Sequence, residues 1–204
     1  MTNLPFRASA LALATALALL AGCATTSAPR STAAVAPYRD NIELTGRIAI
    51  NYSKDGKKES LNGKFTWRQS KDSTDVNLIS PTGQTVAVIS VTPGSATLKQ
   101  SGKEPLSAPD LDSLTTRTLG WTLPVSGLRD WLQGHAIASD GSRYTATPSN
   151  DTVVTRDGWK LDYVSWQDDG APVPQPKRID VTRTALGQQV DDMALRIVID
   201  PAVQ

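Results

Sequence analysis

Beyond position 23 the chain has no cysteine, and its 204 residues include a single histidine, His135. One thiol allows neither an internal disulfide nor a cysteine-based metal site, so any fold must hold by burial alone. Basic runs are missing as well. Lys plus Arg number 21 against 20 Asp plus Glu, a balance that argues against nucleic acid as a partner. After the first 22 residues no apolar stretch approaches the roughly 20 residues that a membrane-crossing helix needs. There is no Gly-x-Ser-x-Gly elbow, no phosphate-binding glycine loop and no metal-ligand spacing. The acidic pairs Asp168-Asp169 and Asp191-Asp192 read as solvated turns, and His135, directly after Gly134, reads as a loop or helix-terminus residue. These absences lead to an expectation of no catalytic residue, no metal and no cofactor.

What is present begins with a removable leader. Arg7 supplies a positive start, and Ala8 to Leu19 is an unbroken run of Ala, Leu, Ser and Thr. That is the length of a signal-peptide core and too short to span a bilayer. The run Leu20-Ala21-Gly22-Cys23 follows and resembles a bacterial lipobox. The resemblance implies cleavage before Cys23 and acylation of its thiol, the nucleophile suited to forming a thioether. By resemblance to enterobacterial lipoproteins, in which an Asp at this position signals retention at the inner membrane, Ala24 implies an outer-membrane, periplasm-facing destination. Cleavage removes 22 of 204 residues and leaves 182, with 20 basic and 20 acidic residues. Residues 24–37 are Ala, Ser, Thr and Pro with one arginine and one valine, too poor in large apolar groups to offset the entropy of ordering. The expected organisation is a signal peptide over 1–22, a lipidated cysteine and flexible tether over 23–41, and one domain over 42–204, with a short helical turn at Tyr38–Asn41.

From Ile42 the period is two. Ile48, Ile50 and Tyr52 alternate with Arg47, Ala49 and Asn51, and Lys54-Asp55-Gly56-Lys57 is a hairpin turn. The return strand sets Leu61, Gly63, Phe65 and Trp67 on one face. Val76 and Leu78, then Val86 and Val88, then Ala96 and Leu98 extend the pattern through turns at Pro81-Thr82-Gly83 and Pro93-Gly94. The result is an antiparallel meander with one apolar face. Ser107-Ala108-Pro109-Asp110 then reads as a capped helix start, with Leu111, Leu114 and Thr118 at helical spacing and Gly120 as the stop. Leu123-Pro124 opens a second helix whose stripe is Val125, Leu128, Trp131 and Leu132, ended by Gly134. Strand patterning resumes near Arg143, through Val153 and Thr155, Trp159, Leu161 and Tyr163, Ile179 and Val181, and finally Leu195, Ile197 and Ile199.

Five tryptophans are many for this length, while Phe65 is the only phenylalanine after the leader. Each Trp serves equally well as core filler. Alternatively Trp67, Trp131 and Trp159, each on the apolar face of its own element, line a cavity between sheet and helices. Wide rigid aromatic walls suit acyl chains, which need apolar area and little hydrogen bonding. The residues expected to line it are Phe65, Trp67, Leu78, Val88, Leu128, Trp131, Trp159 and Leu161.

Several segments resemble, in order, the outer-membrane lipoprotein receptor LolB family. They are Gly46-Arg47, Gly63-Lys64-Phe65-Thr66-Trp67-Arg68-Gln69, Ser80-Pro81-Thr82-Gly83, Leu123-Pro124 with Leu128-Arg129-Asp130-Trp131-Leu132-Gln133-Gly134, and Gly158-Trp159-Lys160-Leu161-Asp162-Tyr163. The resemblance implies an incomplete antiparallel β-barrel closed by helices, like that of the soluble carrier LolA. It also implies a monomer that accepts the acyl chains of lipoproteins from that periplasmic carrier and delivers them among outer-membrane lipids. In the family a leucine stands where this chain has Thr82, and the loop Pro81-Thr82-Gly83 is the implied membrane-facing segment. Two rival readings fit the residues: an assembly lipoprotein gripping a protein partner with its open sheet, and a binder of another apolar small molecule.

Overall fold

The computed structural model of the protein describes residues 30–54, 56–119, 125–168, 170–184 and 190–202. The leader, Cys23, Gly120 and the Leu123-Pro124 pair lie outside the described residues. The chain divides into two compact units, 1–30 and Ser31–Gln204; the second is the folded domain.

Long strands form where the period-two pattern is longest. The strands β1 (Ile42–Lys54) and β2 (Lys57–Gln69) make a 13-residue hairpin in continuous register, Ile42 opposite Gln69 and Lys54 opposite Lys57. Gly56 closes its turn at φ +72°, a backbone region that residues with a Cβ rarely adopt. The meander continues through β3 (Thr74–Ile79), β4 (Thr85–Thr92), β5 (Ser95–Gln100) and β6 (Leu106–Ala108). After two short helices, α1 (Leu111–Leu119) and α2 (Val125–Trp131), come β7 (His135–Ile137) and β8 (Arg143–Thr145), which pair only with each other. The last strands are β9 (Thr152–Val154), β10 (Lys160–Trp166), β11 (Pro176–Thr184) and β12 (Val190–Ile199). Ten strands form one antiparallel sheet in the order β6-β5-β4-β3-β2-β1-β12-β11-β10-β9, open at both ends.

One face of this sheet is apolar across the whole width. Leu161, Val181, Leu195, Ile50 and Leu61 occupy one transverse row by register, and Leu44, Trp67, Val76, Ile89, Leu98 and Leu106 another. Most of these side chains are buried, with Trp67 at 2% exposure. Helix α1 is capped by Asp110, whose carboxylate accepts from the Ser113 amide at 2.7 Å and is held below its ordinary range by that bond. Ser107, expected at the helix start, sits instead in β6.

Four expectations are corrected. Val88 does not share the buried face: the ladder slips between Leu78, opposite Ala87, and Ile79, opposite Thr85. That slip leaves Val86 as an extra, exposed residue, a bulge that turns Ala87 and Ile89 inward and Val88 outward, opposite Asn77 and Lys99. Tyr38–Asn41 forms no helical turn. His135 lies in a strand rather than a loop. Finally, the domain begins before the expected boundary at Ile42, because residues from Ser31 onward belong to it. Val35 is buried in the core, its amide donating to the Ala146 carbonyl at 3.2 Å, and the Ser149 amide donates to the Ser31 carbonyl at 3.0 Å. Composition argues for disorder only when no partner surface is offered, and here the domain offers one.

Candidate functional site

The residues expected to line an apolar site fall into two groups on the inner face. Trp131 from α2 meets Trp159, which precedes β10, with ring centroids 6.3 Å apart. The Arg183 guanidinium carbon lies 5.4 Å above the Trp159 ring, a cation–π arrangement. Beyond them Tyr144, Tyr163 and Trp166 stack in series at 6.3 and 6.0 Å. The second group is Phe65, Trp67 and Leu78 on β2 and β3. In sheet order β2 is four strands from β10, on the order of 19 Å measured along the sheet. Leu161, Val181, Leu195 and Ile50 bridge that distance as one continuous apolar row. Leu128 and Trp131 are buried on the helix side. Seven of the eight expected residues therefore share one apolar interior, and Val88 does not.

Burial along this interior is graded. Along the Trp67 row Trp67, Val76, Ile89 and Leu98 are buried, while Leu44 is partly buried and Leu106 on the edge strand is 42% exposed. Toward the free end of the β1–β2 hairpin the face opens on the β2 side: Leu61 is 52% exposed and Ile48, Tyr52 and Leu78 are partly buried, while Ile50, opposite Leu61, stays buried. The reason is the register. Pairing of β2 with β3 begins only at Lys64, opposite Ile79, so Leu61 projects from a stretch with β1 as neighbour on one side and none of β3 on the other. Gly63 supplies no side chain in that row, and a Cβ there would stand 2.6 Å from the Ile79 carbonyl oxygen. The inner face thus has a closed end beneath the helices and an apolar mouth between β1, β2 and β3.

Helix α2 is fixed by polar contacts around its apolar stripe. Arg129 donates to the Ser70 carbonyl at 2.7 Å, the Ser73 carbonyl at 3.1 Å and the Lys71 carbonyl at 3.3 Å, so its fork fills the concave β2–β3 turn. The Tyr163 hydroxyl donates to the Trp131 carbonyl at 3.1 Å, and burial drives its pKa far above the ordinary tyrosine value. Gln133 accepts from the Arg39 amide at 3.0 Å and donates to the Arg39 carbonyl at 3.0 Å. His135 Nε2 lies 2.9 Å from the Ala36 carbonyl. Gly134, at φ +84°, leaves room for Val35; a Cβ there would stand 2.8 Å from Val35 Cγ1. The block Leu128 to His135 therefore has two tasks, closing the interior with α2 and holding residues 35–39 as a strap. Arg129 and Gln133 carry no apolar or catalytic signature, and the sequence reading passed over them. The signal available was that polar residues capable of two or more bonds recur between the stripe positions.

The loop Pro81-Thr82-Gly83 is exposed. It is held by the Gly83 amide donating to the Ser80 carbonyl at 2.9 Å and the Ser80 amide donating to the Gln84 carbonyl at 2.8 Å. Thr82 turns its hydroxyl back to Ser80, 2.8 Å away, rather than outward.

Known proteins resemble this chain over most of its length. The sequence model of the family described as "Outer membrane lipoprotein LolB" matches residues 40–201. The outer-membrane lipoprotein LolB of Cupriavidus pinatubonensis is 37% identical over 188 residues, covering 90% of this chain and 89% of the relative. That of Cupriavidus metallidurans is 37% identical over 201 residues, covering 96% of each. Among solved structures, a LolA superfamily protein from Nitrosomonas europaea is similar with a TM-score of 0.45 and 10% identity, covering 80% of this chain and 86% of that one.

Proposed function

Because the chain belongs to the family of outer-membrane lipoproteins LolB, we propose that it receives the acyl chains of lipoproteins on the inner face of its open sheet and hands them to the outer membrane. The observation that carries this reading is the graded interior, an apolar face that is closed under two helices and opens at Leu61, Ile48 and Leu78. A lipoprotein's acyl chains cannot cross water unaided, because each buried CH₂ contributes about 0.8 kcal/mol and exposing whole chains costs tens of kcal/mol. Transfer from the periplasmic carrier LolA must therefore run from one apolar surface to another. It proceeds downhill when this domain holds the chains more tightly than the carrier does. Entry at the mouth requires the acyl chains to lie along Leu61 and Ile48 and then to displace helix cover from Trp67, Phe65, Trp131 and Trp159. No bond is made or broken. The protein acts as a monomer, anchored through Cys23 on the periplasmic side of the outer membrane, with the Pro81-Thr82-Gly83 turn as the part that meets lipid.

A two-step transfer assay tests the reading. Carrier-bound triacylated lipoprotein is mixed with the full chain carrying Cys23→Ala, and cargo is followed first to the acceptor and then to liposomes. The acceptor takes the cargo, and Leu61→Asp, at an exposed position, lowers acceptance several-fold without shifting the melting curve. Thr82→Leu speeds the second step only, since a buried leucine contributes about 1.5–3 kcal/mol relative to an exposed one. Cargo that stays with the carrier would sink the proposal, and acceptance unchanged by Leu61→Asp would put the mouth elsewhere.

A further inference from the structure

The outer face of the sheet carries a feature that the acyl-binding interior does not use. On adjacent strands Arg47 and Lys64 stand directly opposite each other, and Arg196 on β12 stands opposite Ala49, two residues along β1 from Arg47. Like charges directly opposite on a strand pair are destabilising unless something offsets them. The protein offsets them only in part. Arg47 reaches Asp200 at 4.0 Å, with both side chains largely in solvent. Arg196 shares Asp180 with Arg178. Lys64 has no ion pair among the described residues.

These three cations rim a groove of about 460 Å³ whose floor includes Ala49, Val198 and Pro81. The last of these belongs to the exposed turn at the end of β3. Cations around an apolar floor suit a ligand with an anionic head and an apolar stem. A fully hydrated free anion gains nothing from alanine, valine and proline, whereas the glycerol and first methylenes of a lipid do. At an anionic membrane surface each Lys or Arg contributes on the order of 1 kcal/mol.

We propose that this groove is a docking site for the headgroup of an anionic phospholipid, and that it seats the turn Ser80–Gln84 against the membrane. The proposal rests on the membrane-delivery reading above, and it supplies what Thr82 lacks. Where a leucine would insert, this chain uses a pair of cations beside the turn to hold it at the surface.

Vesicle co-sedimentation tests it, using the full chain with Cys23→Ala so that no acyl anchor contributes. Vesicles of phosphatidylethanolamine are compared with vesicles containing phosphatidylglycerol as well. The chain binds the second set more tightly, and rising salt removes the difference. Arg47→Gln with Lys64→Gln lowers binding to phosphatidylglycerol vesicles by roughly 30-fold, the equivalent of about 1 kcal/mol for each cation. Lys99→Gln, which removes a charge elsewhere on the same face, leaves binding within about twofold, and a melting curve verifies that each variant folds. Millimolar inorganic phosphate does not compete. Equal binding by wild type and the double variant overturns the proposal, and so does full competition by phosphate, which would make the site one for a free anion. In the transfer assay the double variant accepts cargo from the carrier normally and delivers it slowly. Loss of acceptance with vesicle binding intact would assign the groove to the carrier and overturn the lipid site. Failure of acceptance by the wild type itself would instead count against the acyl-receiving function and leave the vesicle result standing.

Discussion

Arg129 shows how a single side chain can hold two elements together. Its guanidinium satisfies the carbonyls of Ser70 and Lys71 in the turn and shares the Ser73 carbonyl with the Ser70 amide. Arg129→Ala strands the Ser70 and Lys71 acceptors and is expected to lower stability by about 2 kcal/mol, at roughly 1 kcal/mol or more for each lost bond to a charged donor. Arg129→Lys recovers less than half, because an ammonium cannot address three carbonyls through a planar fork. Urea unfolding checks both values, and equal midpoints for Arg129→Lys and wild type would remove the clamp from the account. Tyr144 and Tyr163 report on the same interior by a different route. Burial pushes Tyr144 up to about 12 and Tyr163 further, while an unfolded tyrosine loses its proton near its ordinary value of 10.0. Both folded values are raised. The stability they contribute is therefore whole below pH 10 and falls as pH rises from 10 through the folded values. Unfolding midpoints measured from pH 9 to 12 should drop, and drop less in Tyr144→Phe and Tyr163→Phe. A wild-type slope unchanged by both substitutions would place the two hydroxyls in solvent.

The strap of residues 31–39 behaves as an element without being a helix or a strand of the main sheet. It is held by Gln133, His135, Ala146 and Ser149, and pinned by Val35 beneath Gly134. Gly134→Ala must both adopt φ +84° and push Val35 aside. It should cost roughly 2 kcal/mol and raise hydrogen exchange at the Val35 and Arg39 amides before the rest of the domain. Exchange at those amides equal to wild type would mean that the strap does not depend on this contact. The period-two pattern made most of the sheet legible, down to the inward positions of Trp67, Leu161, Leu195 and Ile197. It failed at β4 for a physical reason. Val86, Ala87, Val88 and Ile89 are apolar at both parities, so alternation is silent there and a bulge decides the face. Ser90, which shares Val88's face and donates to Asp75 outside, was the one clue. The strap was illegible because Ala-Val-Ala-Pro carries its binding information in the backbone, while the partner atoms lie about a hundred residues away. Arg129 and Gln133 were missed for the same reason: most of their partners are main-chain groups, and main-chain groups have no sequence.

On the scale of the whole molecule the sheet stays open. Its two edges are the three-residue strands β6 and β9, too short to template much pairing with another chain. No disulfide closes it, so the covering helices and the strap do the closing. An open, apolar interior on one face and cations on the other give the domain two unlike sides. The strap then determines how far those sides can travel. Ser31 is eight residues from Cys23 and Asn41 is eighteen. At full extension these lengths reach at most roughly 28 and 63 Å. Under the proposed anchoring through Cys23, docking of the strap shortens the leash more than twofold and shrinks the volume the domain can sweep by roughly elevenfold, since volume grows as the cube of reach. A few hydrogen bonds to a strand of alanine, valine and proline therefore act as a reel. They trade the reach that would meet a distant donor for time spent within a domain's width of the bilayer.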